Sequence, residues 1–238
     1  MHNNDYSSSD ALTEVEFALW RKKGVIGKAH NHAVRFSRST QKNGYWMNMG
    51  GKKLPRDNGT RWTSIYKLVS VLDDPNVQKA LQKLYSRHPD AIEPLDRLTS
   101  KDFQEVHKIR FLQAMYDAIL FTEGHSATLD RVLPAMEFVL EHFETGKDSY
   151  SEDRFLSPCI NSGWSKLNDY YALTDKSPAY VAAVVLDPSK KWQYFEDQWK
   201  VAHPEWLNTW KVNVERLWES SYKVLSSPDF IFYTKNNC

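Results

Sequence analysis

Arginine, tryptophan and lysine crowd the segment RDNGTRWTSIYKL, Arg56 to Leu68. A guanidinium can meet a phosphate and an indole can offer a flat face to a base, so the adjacent pair Arg61 and Trp62 points to nucleic-acid chemistry. The segment closes a basic block. Between Trp20 and Lys67 stand 12 Lys or Arg and a single acid, Asp57. The whole chain carries 31 basic and 30 acidic residues for a net charge of +1, which hides a basic N-terminal quarter near +11 and an acidic remainder near −10. Such asymmetry implies a polyanion partner at one end. The candidate DNA contacts are Lys28, Arg35, Arg38, Lys52, Lys53, Arg56, Arg61 and Trp62, with Lys22 and Lys23 ahead of them. The plain alternative is a solvated cationic face.

Other chemistry finds less support. His30 and His32 are two apart, so on a helix they point to different faces, and no Cys/His group has zinc-ligand spacing. Neither GxxxxGK[ST] nor GxGxxG occurs, and GKKLPRDNG has glycines and cations in another register. No GxSxG is present, and Cys159, with no histidine near it in sequence, reads as a small buried hydrophobe. The acids Asp73, Asp74, Glu137, Glu141, Asp148, Glu152 and Asp153 fall on expected exposed helix faces. A two-metal nuclease needs acids that converge. Glu137 and Glu141 share a face and read as solvated helix surface. No metal or cofactor is expected.

The elements that must position these residues are mainly helical. Val15 to about Arg38 reads as a helix with Lys28, Arg35, Arg38 and Lys42 within about an 80° arc at 100° per residue. Gly24 and Gly27 weaken it and mark its true start. Residues 43–59 read as loop. Amphipathic helices follow over Ile65–Leu72, Val77–Tyr85 and Asp102–Phe121, the last with Phe103, Val106, Ile109, Leu112, Met115, Tyr116 and Ile119 in one stripe. Ser126 could cap the next helix, with Pro134 kinking it or starting a second. Gly146 to Arg154 reads as a polar loop. Further helices are expected over Phe155–Leu173, Ala179–Leu186, Trp192–Val201 and Pro204–Val224. YVAAVVLD could be a buried strand, but its surroundings favour helix. Trp206, Trp210, Val214, Leu217 and Trp218 at helical spacings suit core packing or a protein interface.

Composition sets the outer bounds. At 238 residues, 41% hydrophobic and with nine Trp, the chain can bury a real core as one large or two small domains. Two Cys, Cys159 and Cys238, are too few for a disulfide framework and suit a reducing compartment. The opening MHNNDYSSSD is polar and lacks the apolar stretch of a signal peptide, and no apolar run approaches the length of a membrane span.

Five segments in order resemble the hobo/Activator-type (hAT) DNA transposases, particularly the fungal branch. They are ALWRKKGVIGKAHN (18–31), RDNGTRWTSIYKL (56–68), ATLDRVLPAMEFVLEHFE (127–144), SGWSKLNDYYALTDKSPAYVAAVVLDPSKKW (162–192) and HPEWLNTWKVNVERLWESSY (203–222). The resemblance covers about residues 15–225. It implies a ribonuclease-H-like core with three metal-binding acids and a large all-helical insertion between the second and third. Its Arg-Trp motif lies near the start of that insertion, and its Trp is implicated in stacking on a cleaved DNA end, a role the resemblance passes to Arg61 and Trp62. The first two family acids belong upstream of the WRKKG-like segment and the third downstream of the WESSY-like helix, where IFYTKNNC does not match.

The resemblance therefore implies a mainly α, bundle-like chain with at most a short strand remnant. Residues 1–14 are expected to be disordered, 15–63 a basic lead-in, 64–225 an all-helical insertion-like domain, and 226–238 a tail foreign to the family. The expected function is a non-catalytic fragment with weak, largely sequence-independent DNA affinity, acting in the nucleus if expressed, without cofactor or membrane. Two alternatives stay open. One is a helical module binding an intact transposase or another protein through its acidic Trp-rich half, or associating with itself. The other is a decayed reading frame without function.

Overall fold

The computed structural model describes residues 14–56, 61–123, 128–201 and 203–223. The chain is mainly helical, with no strand among the described residues. It divides into two compact units, Met1–Tyr116 and Asp117–Cys238.

The first unit is built from α1 (14–21), α2 (Val25–Arg38), α3 (Thr40–Asn48), α4 (Trp62–Leu72), α5 (Pro75–Arg87) and α6 (Ser100–Ile109), with α7 (Gln113–Thr122) running across the boundary. α1 and α2 are separate because the chain turns at Gly24, whose φ of 65° is left-handed. Gly27 lets the end of α1 touch the start of α2: a Cβ there would sit 1.7 Å from the Trp20 carbonyl oxygen. α2 and α3 are also separate. Ser39 is extended and its side chain accepts from the Lys42 amide, so Lys42 does not continue the α2 face. Residues 43–48, expected as loop, belong to α3, which plants Trp46 in the core at 0% exposure. Trp46 holds the following non-helical stretch by donating its indole N–H to the Lys52 carbonyl at 2.7 Å.

Asp74 caps α5 by accepting from the Asn76 amide, and Pro75 follows in the first turn, where a missing N–H costs nothing. Thr99 and Asp102 form a reciprocal capping box on α6. The helix expected over Asp102–Phe121 is interrupted by a 3₁₀ turn at Arg110–Leu112. That turn changes the register and brings Phe111 and Ala114 inward in place of a single continuous stripe. Ala29, Ala33, Leu68, Leu72, Leu81 and Val106 meet in the core, so the basic lead-in shares one interior with α4–α6.

The second unit contains α8 (Val132–Ser149), α9 (Leu156–Thr174), α10 (Ala179–Leu186), α11 (Lys191–Trp199) and α12 (Pro204–Ser221). Ser126 lies outside the described residues. Pro134 falls in the first turn of α8, which it starts rather than kinks. α8 runs on through Gly146 to Ser149, shortening the expected polar loop, and Asp153 caps α9 by accepting from the Phe155 and Leu156 amides. YVAAVVL is helical, and its Val181 and Val184 pack with Leu133, Phe195, Trp199 and Trp210. On α12, Leu207 and Trp210 turn inward, while Trp206 and Trp218 are 37% and 56% exposed.

Candidate nucleic-acid interface

The cations of the basic block fall into two sets. The inner set lies on α2 and is paired with acids distant in sequence. Lys28 donates to Asp102 at 2.8 Å. Arg35, on the same face, reaches Asp96 at 3.3 Å and Glu14 at 3.5 Å, and its guanidinium lies over the Phe17 ring. Arg38, still half exposed, pairs with Glu16 at 3.5 Å.

Asp96 is the centre of this network. It is 0% exposed and accepts from Arg21 Nε at 2.7 Å, Arg21 at 3.0 Å and Asn31 Nδ2 at 2.7 Å. Burial alone would push its carboxyl up, but the Arg21 and Asn31 hydrogen bonds and the nearby guanidinium charges hold it below the usual carboxylate range. The two histidines on α2 do point apart. His30 stacks on Trp20 at 3.7 Å, while His32 is buried and bridges helices. Its Nδ1–H donates to the Lys28 carbonyl at 2.8 Å and its Nε2 accepts from the Tyr85 hydroxyl at 2.7 Å. Burial pushes the His32 imidazole down to about 4. Burial likewise raises the Tyr85 hydroxyl well above its ordinary value.

The outer set follows α3. Lys52 is exposed and pairs with Asp74 at 2.5 Å, and it holds that carboxyl below its usual range. Lys53 and Arg56 are exposed, and neither is in an ion pair among the described residues. Arg61 is exposed and occupies the N-cap position of α4. α4 has no acid in its first turn and no side-chain cap from Arg61, so its first amides keep the positive end of the helix dipole. Trp62, half-buried, begins that helix, its ring meeting Tyr66 edge-on at 6.2 Å between centroids. This end of α4 therefore joins exposed Arg61, a helix start without a side-chain cap and a partly accessible indole.

The candidate acids are mostly explained by local structure. Asp73 accepts from His107 and Arg110, and Asp74 and Asp153 cap helices. Glu137 departs from its reading as solvated surface. It accepts from Tyr171 at 2.8 Å, Tyr194 at 2.5 Å and Trp199 Nε1 at 2.9 Å, tying α8 to α9 and α11. Burial and the Glu137 charge raise both tyrosine hydroxyls well above their ordinary range. Glu141, on the same face, is exposed. Cys159, read as buried, is exposed on α9. Among the described residues no group of three His, Cys, Asp or Glu could hold a metal ion.

One feature of the second unit had no signal in sequence. An open depression of about 530 Å³ is lined by Phe121, Thr128, Asp130, Ala183, Asp187 and Lys190 among others. Lys190 is held there by Asp130 and by Asp187 at 2.9 Å, so the charges satisfy one another. Among the described residues no helix is long and apolar enough to cross a membrane. Compared with protein families, curated proteins and solved structures, the chain finds no match.

Proposed function

We propose that the chain is a non-catalytic helical module derived from a hAT-type transposase. In this reading it binds DNA weakly, with little sequence preference, and acts in the nucleus. The observation that carries it is the start of α4, where exposed Arg61 precedes half-buried Trp62 at a helix start with no side-chain cap, in a stretch of chain whose Lys53 and Arg56 are also exposed. Phosphates would meet the cations and the helix dipole, and an exposed base would meet the indole. Lys28 and Arg35, already committed to Asp102 and Asp96, contribute field rather than direct contacts. Lys52 and Arg38 are exposed enough to exchange their carboxylates for phosphates.

The test is binding of a labelled DNA hairpin and a matched duplex across a salt series, with cleavage read on the same samples in Mg²⁺ and Mn²⁺. Salt-sensitive binding without cleavage is expected. Cleavage would overturn the non-catalytic reading, and no binding at low salt would overturn the DNA reading.

A second reading, a protein-interaction module, rests on α12. Its Trp206, Val212 and Trp218 present apolar side chains outward in the acidic half of the chain. Size-exclusion chromatography alone and with an intact transposase tests it, a single monomer peak in both cases counting against it.

A further inference from the structure

Trp62 does not stand alone. Its ring meets Tyr66 at 6.2 Å, and Tyr66 lies 5.1 Å from Tyr116 with the rings inclined by 32°. The outer centroids, Trp62 and Tyr116, are thus within about 11 Å of one another. Tyr66 in the middle is 4% exposed, and its hydroxyl donates to Gln113 Oε1, three residues before Tyr116 on α7. Tyr66 therefore fixes α4 against α7 and sets the spacing of its two neighbours. Both neighbours are only partly covered. Each has an exposed cation beside it: Arg61 precedes Trp62, and the Lys67 ammonium lies 5.8 Å over the Tyr116 ring. Partly accessible rings alternating with exposed cations are what a single strand needs, since every base has a π-face and every step a phosphate.

We propose that Tyr116 is a second base platform, with Lys67 as its phosphate contact and Tyr66 as the positioning residue between the platforms. The proposal rests on the reading of Trp62 as a stacking residue and names the ligand more closely: an unpaired DNA run of a few nucleotides. At ~3.4 Å per stacked nucleotide, the outer rings lie no more than about three steps apart. A duplex keeps its bases stacked on each other and has no faces to give to two rings.

The test compares a labelled oligothymidine strand with a duplex of matched length, for the full chain and four variants. Tyr116→Leu keeps an apolar side chain against Tyr66 but removes the π-face. It should weaken single-strand binding about tenfold and leave duplex binding within about twofold. Tyr116→Phe should bind as the parent does. Lys67→Gln should make the log–log salt slope shallower by ~0.7. If Tyr116→Leu matches the parent while Trp62→Ala is weakened, the second platform is wrong and the Trp62 reading survives. If Trp62→Ala is also unchanged, both fall. A Tyr116→Phe variant as weak as Tyr116→Leu would assign the loss to the hydroxyl and overturn the platform.

Discussion

Asp96 shows what a single residue decides in the first unit. It is a fully buried carboxylate held by Arg21, Asn31 and Arg35, two of which belong to the block that sequence marks as cationic surface. Asp96→Ala would leave two largely covered guanidiniums with only the exposed carboxylate of Glu14. The expected loss is about 3–5 kcal/mol of unfolding free energy, measured by urea denaturation. His32 provides the pH dependence. Its ordinary value is near 6.5 and burial holds it near 4 in the folded chain. Between those values the unfolded chain takes up a proton that the folded chain refuses. Stability is therefore full above the window and falls as pH drops through it, by up to about 3 kcal/mol. Melting temperatures across that range should decline in the parent and decline less in His32→Gln. None of this was legible locally, because Asp96 and Asp102 lie 61 to 75 residues from their partners and follow a proline-rich turn.

Among the elements, α8, α9 and α11 are joined by one acid. Glu137→Ala would strand the Tyr171, Tyr194 and Trp199 donors. It should cost about 3 kcal/mol and bring both tyrosines back towards their ordinary titration, read by tyrosinate absorbance. The turn between α1 and α2 depends on Gly27. Gly27→Ala should destabilise the first unit even though alanine favours helix by about 1 kcal/mol, because the added methyl would meet the Trp20 carbonyl at 1.7 Å. Thermal melting decides the sign. Periodicity and Pro punctuation located most helices within a few residues, including Ala179–Leu186, whose ends match the expected ones. They failed where tertiary packing overrides local preference. KNGYWMN carries a glycine and little amphipathic pattern, yet buried Trp46 holds it as helix. The 3₁₀ turn at Arg110–Leu112 breaks a run whose apolar spacing looks continuous.

Over the whole molecule, the charge asymmetry follows the two units. Met1–Tyr116 has 19 basic and 12 acidic residues, and Asp117–Cys238 has 12 and 18. The first unit therefore carries the positive field that would draw a polyanion, and several cations of its basic block are already paired with acids. The exposed cations that flank Trp62 in sequence include Lys53, Arg56, Arg61 and Lys67. Phosphate contacts from these four give a log–log salt slope of roughly −3 to −4, and exchange of carboxylates for phosphates by Lys52 and Arg38 takes it to roughly −4 to −5. The most direct test of the central claim is the affinity of the parent and of Trp62→Ala for a labelled DNA hairpin over a salt series. The account expects a slope of roughly −3 to −5 in both proteins and an affinity loss of ~1–3 kcal/mol in the variant. Equal affinity of the two proteins at every salt concentration would contradict it.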